Sequence, residues 1–372
     1  ILGDGWFKGR LGFDGGFTNV YGDCCQLIAE LYIGNINEPI VFTDENWEYS
    51  KSQIVESNIY DGEIYDARIE DELLKNSSWK KVVIIDATNC GKLCDRYSLP
   101  IVKQEEFEPE IIKTPKGETV LDFAQNLTGW VEFDAKLPKD VIVTLTASEI
   151  LQDGSFYRDN LRTAKAEFIY ISNGDTAHVR PHFTFYGFRY MKVEIKKEDN
   201  VQDITDKYIS DICFKAYHLR SDFGQIGEIK TGDEKVNRLF LNALWGQKDN
   251  FLDVPTDCPQ RDERLGWTGD AQVFSETACY NMYMPAFYRK YLWDMRAEQS
   301  ILEGSVPNVV PRLKRGMVAE HGSSPWADAG VIIPWNVYMH YGNRTLLNEC
   351  YEGMKEWVDW ERKKEEELGG PH

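Results

Sequence analysis

Two periodicities divide the chain. Up to about residue 220 the apolar positions follow a strand rhythm. Leu27, Ala29, Leu31 and Ile33 alternate with more polar neighbours, the period-2 pattern of a half-buried strand. Residues 141–146, 168–171 and 183–186, the last running on into 187–195, are rich in β-branched and aromatic side chains. Asp14-Gly15-Gly16, Asp61-Gly62, Asp153-Gly154 and Asn173-Gly174-Asp175 supply turns between such runs. Short strands with regular turns predict β-sandwiches. From Gly232 the rhythm becomes helical. Val236, Leu239, Phe240, Ala243 and Leu244 fall on one helix face, and Asp233 stands where a helix cap belongs. Pro285 suits the first turn of a helix burying Phe287, Tyr288, Tyr291, Leu292 and Met295. Leu346, Leu347, Cys350, Tyr351, Met354, Trp357 and Val358 mark another helix, expected to stop at Gly369-Gly370.

Strands come first and helices after, which predicts separate domains rather than one mixed fold. A polar, proline-marked stretch from Pro100 to Gly117 interrupts the strands, and the period changes near Ser221. The expected division is a β-sandwich over 1–108, a second over 109–220 and a helical domain over 221–372. No internal repeat or low-complexity tract is present.

Composition narrows the function classes. A net charge of -19 and no basic cluster argue against nucleic acid, which requires grouped Lys and Arg. No run of about 18 apolar residues exists to cross a membrane. The cysteines (24, 25, 90, 94, 213, 258, 279, 350) show neither zinc-ligand spacing nor a disulfide framework, so buried, reduced thiols and a cytoplasmic location are expected. A chain that begins at Ile1 leaves open the removal of a leader. Asn76, Asn126 and Asn343 open glycosylation-type triplets of the kind that arise by chance. The six histidines (178, 182, 218, 321, 340, 372) form no metal motif, and no cofactor or metal is expected. The glycines over 9–16 lack the Lys-Ser/Thr ending of a phosphate loop.

The chemistry concentrates in residues 253–272. Asp253, Asp257, Asp262, Glu263 and Asp270 lie there with Arg261, Arg264 and Trp267, and Pro255, Pro259, Gly266 and Gly269 forbid a continuous helix. A loop is therefore expected between a helix ending near Asn250 and one starting near Asp270. Gathered carboxyl groups are what glycoside hydrolysis needs, one protonated to donate and one charged to activate water. A flat indole offers a surface for a sugar face. The same residues also suit a surface salt-bridge network, and spacing alone does not separate the two readings. Cys258 with His321 as nucleophile and base rests on residue type alone.

The segment from Asp257 to Gln272 resembles the signature of bacterial α-L-rhamnosidases, glycoside hydrolase family 78. The likeness extends to residues 5–13, 43–47, 60–68, 122–130, 160–162, 183–190, 326–330 and 334–335. It implies two antiparallel β-sandwiches, the second concanavalin-like, followed by the first part of an (α/α)6 barrel. It also implies inverting hydrolysis of terminal α-L-rhamnosides, with Glu263 as general acid. Asp257 and Asp270 would bind rhamnose hydroxyls, Arg261 and Trp267 would contact the sugar, and Trp326 would pack near its methyl-bearing face. Asp262 ranks below Glu263 as the acid. On this reading Glu263 keeps its proton because acidic neighbours crowd it.

Residues 221–372 supply about half of a twelve-helix barrel at roughly 12 residues per helix plus loops. The chain is therefore expected to be a fragment, with the general base beyond His372. Exposed apolar helix faces would then favour self-association into a homo-oligomer. The competing readings are a non-catalytic carbohydrate-binding protein and a helical-barrel glycosidase acting on another sugar.

Overall fold

The computed structural model describes residues 1–13, 15–34, 37–69, 79–85, 95–198, 200–313 and 321–370. Asp14 of the first turn, the Asn76 triplet, Cys90, Cys94 and His372 lie outside them.

Eleven strands form one hydrogen-bonded sheet: β1 (Ile54–Asn58), β2 (Gly62–Asp66), β3 (Ile101–Phe107), β4 (Glu110–Lys113), β5 (Thr119–Lys136), β6 (Val141–Ser148), β7 (Glu167–Ile171), β8 (Thr176–Val179), β9 (Tyr186–Lys197), β10 (Asn200–Asp203) and β11 (Cys213–Ser221). The path runs β1-β2-β7-β6-β9-β5-β11-β3, with β4 and β8 on β5 and β10 on β9. Strands from both sides of residue 108 thus share one ladder. One pairing departs from the expected antiparallel pattern, since β2 lies parallel to β7, Gly62 opposite Glu167. The long chain segment between these strands supplies the crossover that a parallel pair requires. Gly62 is obligatory there, because a Cβ would sit 1.8 Å from the Glu167 carbonyl oxygen. Phe133 packs edge-on against Tyr170 and Phe168 in the sheet's core.

Three sequence expectations for strands need correction. Residues 101–107 and 110–113 are strands, not an interruption; β3 ends the path, and an edge strand tolerates polar residues. Leu27 to Ile33 contribute only the two-residue strand Glu30–Leu31, and Leu27, Leu31 and Ile33 are exposed. Their partner strand Val41–Phe42 is equally exposed, so alternation there marks no buried face. Phe183 to Phe185 stay outside β9 because side chains take their backbone groups. The Glu63 carboxylate accepts from the His182 and Phe183 N–H, and Arg264 donates to the Phe185 carbonyl.

The helical part begins with α1 (Glu234–Asn250), capped by the Asp233 carboxylate, which accepts from Lys235 N at 2.8 Å. Then follow α2 (Thr268–Asn281), α3 (Pro285–Ile301) with Pro285 in its first turn, α4 (Ala329–Tyr341) and α5 (Arg344–Leu368). Asn343 caps α5 rather than standing free, and Gly369 ends it in the left-handed conformation. The apolar stripe of α1 is only partly buried. Leu244 is inside, whereas Val236 and Leu239 are exposed, because only the C-terminal half of the helix meets the sheet. Tyr351 and Val358 on α5 are exposed as well. Cys258, Cys279 and Cys350 are buried, while Cys24 and Cys213 are exposed. No described helix is long and apolar enough to cross a membrane.

Sheet and helices meet over a buried ionic cluster. His218 on β11 is fully buried, its Nδ1 2.7 Å from Glu105 of β3 and its Nε2 3.4 Å from Asp249 at the end of α1. Lys248 donates to Glu105 at 2.6 Å, and Thr128 N donates to Asp249 at 2.9 Å. Burial opposes charge on His218, but the Asp249 and Glu105 carboxylates on its two sides outweigh it and raise the imidazole above its usual range. Burial also pushes Glu105 up, and its bonds to His218 and Lys248 bring it down to about 2. Removing the imidazole leaves Asp249 buried without its cation. His218→Ala should therefore cost about 3–5 kcal/mol in urea unfolding at pH 6. The loss should shrink as the pH rises past the raised imidazole value, since a raised histidine stabilises only while protonated.

Candidate active site

The acidic loop is fixed from beneath by a buried guanidinium. Arg264 is fully buried and donates to the carbonyls of Ile59 at 2.6 Å, Phe185 at 2.7 Å and Gln260 at 3.1 Å. The Tyr60 and Phe185 rings lie over it at 5.3 and 5.1 Å. Beside it the Tyr60 hydroxyl donates to the Glu263 carbonyl and accepts from Gly12 N. Both Ile59 and Phe185 belong to the β-region, so Arg264 ties the loop to that region, while Tyr291 and Lys290 of α3 bind it at Gly266 and Asp253 from the helical side. Its ends are the helices foreseen in the sequence, α1 finishing at Asn250 and α2 starting at Thr268.

On this base the carboxylates converge. Glu263 is 9% exposed. Its Oε2 accepts from Arg261 Nε at 3.0 Å and Arg162 Nη1 at 2.9 Å, and its Oε1 accepts from Trp267 Nε1 at 3.1 Å. Asp257 accepts from Arg261 Nη2 at 3.2 Å and from Leu265 N at 3.2 Å. Ligand-type atoms of Asp257, Cys258 and Glu263 lie within 4.8 Å of one another. The crowding foreseen for Glu263 is thus present on the Asp257 side, but three donors also surround it. Burial pushes Asp257 up to about 6, the Glu263 charge adds to the rise, and the Cys258 thiol and Leu265 N–H moderate it.

The remaining expected residues divide by distance from this centre. Asp270 stands exposed in the first turn of α2, its carboxyl raised by partial burial and by the Glu263 charge. Trp326 packs on the backbone of the first turn of α2 at Gly269, where a Cβ would fall 2.5 Å from its indole. Asp262, fully buried, accepts from the Thr163 hydroxyl and stands 3.9 Å from Arg162 Nη1. Sequence reasoning missed Arg162, Thr163 and Tyr60 as neighbours of the acids. Nothing in their spacing marks them, because they lie about a hundred residues or more upstream.

Two other chemistries fit the geometry poorly. Asp257, Cys258 and Glu263 are the described residues placed to share a cation, yet arginine and indole N–H groups already occupy carboxylate oxygens there. Burial drives the Cys258 thiol well above its ordinary value, away from the thiolate that a metal or a nucleophile requires. His321 lies against Trp360, with ring centroids 5.4 Å apart.

The raised Asp257 makes a measurable demand on stability. A carboxylate that titrates near 6 when folded and near 3.8 when unfolded penalises folding increasingly as pH rises between those values. In urea unfolding, wild type should lose up to roughly 3 kcal/mol relative to Asp257→Asn between pH 4 and pH 7. A difference independent of pH would contradict the buried, raised carboxyl.

Family models extend the picture along the whole chain. Residues 1–105 match the α-L-rhamnosidase N-terminal domain, 112–210 the bacterial α-L-rhamnosidase concanavalin-like domain, and 224–371 the bacterial α-L-rhamnosidase 6 hairpin glycosidase domain. An α-L-rhamnosidase of Formosa agariphila is 33% identical over 366 residues, which cover 95% of this chain and 38% of that protein. The crystal structure of native α-L-rhamnosidase from Aspergillus terreus superposes with a TM-score of 0.85 at 34% identity, over 96% of this chain and 41% of that one. The Streptomyces avermitilis α-L-rhamnosidase in complex with L-rhamnose gives 0.84 at 30% identity, over 97% and 34%. The chain therefore spans less than half the length of these relatives. With three domains of one family matched in order from end to end, the chain belongs to the bacterial α-L-rhamnosidases.

Proposed function

We propose that this chain carries the acid side of an active site that hydrolyses terminal α-L-rhamnosyl residues from glycosides, with Glu263 as general acid. The observation that carries the reading is the buried Glu263 carboxylate, oriented through both oxygens and set within 4.8 Å of Asp257 beside the Trp267 indole. A proton held on Asp257 up to about pH 6 lies next to Glu263, so the cluster as a unit carries the proton that a leaving oxygen takes up. Arg261, bonded to both carboxylates, is placed to exchange one of those bonds for a sugar hydroxyl. Trp267 and the half-open Trp326 offer flat apolar faces for the CH-rich sides of a deoxy sugar. The complex of the Streptomyces relative with L-rhamnose supports the choice of sugar.

For the stereochemistry we propose inversion within a helical barrel whose first helices are α1 to α5. An inverting pair needs carboxyl groups about 6.5–9.5 Å apart to admit water. Asp257 stands closer than that to Glu263, so in this reading it binds the sugar and a different carboxylate activates the water.

Two measurements on the complete protein test the proposal. Glu263→Gln should lower release of rhamnose from an aryl α-L-rhamnoside by about 10²- to 10⁴-fold, the usual contribution of a general acid. An unchanged rate would remove Glu263 from that role. Proton NMR of the first turnovers should show the β-anomer of rhamnose appearing before the α-anomer. The reverse order would make the reaction retaining and bring Asp257 forward as nucleophile.

A further inference from the structure

Glu263 receives one of its hydrogen bonds from outside its own loop. Arg162 belongs to the β-region, just after a 3-10 turn over Asp159–Leu161. Its backbone sits at φ +56 and ψ -119, a combination strained for a residue with a Cβ and kept only where the surroundings impose it. They do impose it. The Thr163 hydroxyl donates to the buried Asp262 carboxylate and accepts from Arg10 Nη1 at 2.6 Å. Arg10 Nη2 also binds the Thr163 carbonyl at 2.9 Å, and Asp61 holds Arg10 at 2.6 Å. On the other flank Leu161 is buried, and Asn160 donates to Glu149 at 3.0 Å. The side chain so aimed places Nη1 2.9 Å from Glu263 Oε2.

That placement says what Arg162 is for. Its side chain is 43% exposed, but its guanidinium meets the nearly buried Glu263 carboxylate and stands 3.9 Å from the fully buried Asp262 carboxylate. A strained backbone that aims a cation at the acids of this loop, from a segment outside it, points to function. We propose that Arg162 is a positioning residue for the acid, through which the β-region orients the Glu263 carboxylate and sets its charge balance. Trp267 fixes one oxygen and Arg261 approaches the other from within the loop; Arg162 closes the arrangement from the opposite side. The inference rests on Glu263 being the general acid, as proposed above.

Arg162→Gly and Arg162→Lys in the complete protein supply the test, with an aryl α-L-rhamnoside as substrate. Glycine accepts this backbone conformation without strain. Arg162→Gly should therefore keep or raise the thermal midpoint while lowering kcat roughly ten- to a hundred-fold, with KM nearly unchanged. Loss of the cation favours the protonated carboxyl, so the alkaline limb of the pH–rate profile should move to higher pH. Arg162→Lys, which keeps the charge but not the fork, should restore the limb and part of kcat. Wild-type kcat with an unmoved limb in Arg162→Gly would overturn the inference. So would a drop in kcat that follows a drop in midpoint with no change in the limb. Glu263→Gln run in parallel separates the two ideas: if it retains full activity, the reading of Glu263 falls, whereas its inactivity beside a wild-type Arg162→Gly sinks only the role given to Arg162.

Discussion

One buried cation, Arg264, sets the geometry of the acidic loop. Burying a guanidinium is expensive unless its N–H groups are satisfied, and here backbone carbonyls satisfy them. Because those carbonyls come from Ile59, Phe185 and Gln260, one side chain joins three segments remote in sequence. The exchange works in both directions. Phe185 spends its carbonyl on Arg264 and drops out of the strand ladder, and Glu63 takes the neighbouring N–H groups. The loop of carboxylates is consequently anchored to the β-region as well as to the helices around it, rather than hanging as a free connection.

From that anchor the rest of the site follows by adjacency. Tyr60, stacked on Arg264, reaches the Glu263 carbonyl. Asp262 and Glu263, consecutive on the chain, take different hydrogen-bond donors, Thr163 for one and Arg162, Arg261 and Trp267 for the other, while Arg162 lies within ion-pair distance of both. The β-region is therefore part of the candidate active site and not only a platform for it. A second ionic contact between sheet and helices, His218 with Glu105 and Asp249, holds the end of α1, from which the acidic loop departs.

Local signals in the sequence were readable where the physics is local. Asp233 capping α1, Pro285 opening α3 and Gly369 ending α5 each depend on a few neighbouring residues, and each is found as expected. The loop between α1 and α2 was legible from its prolines and glycines, and the acids within it from residue type. What depends on distant partners was not legible. The parallel pairing of β2 with β7, the polar edge strand β3 and the exposure of Val236 and Leu239 are decided by what lies beside each segment in space. The contact of Arg162 with the acid was hidden for the same reason: residues 160–162 share the family likeness, but an arginine after a turn carries no mark of the carboxylate it meets.

The account stands most directly on Arg264, and Arg264→Met tests it. Methionine keeps much of the volume but removes the guanidinium donor from the Ile59, Phe185 and Gln260 carbonyls, leaving only the Thr184 hydroxyl near the first two. Hydrogen exchange read by mass spectrometry, with urea unfolding alongside, should show residues 256–266 losing protection while the strands of the sheet keep theirs, and stability falling by about 3–5 kcal/mol. Wild-type protection across the loop with unchanged stability would contradict the claim that this guanidinium holds the carboxylates in place.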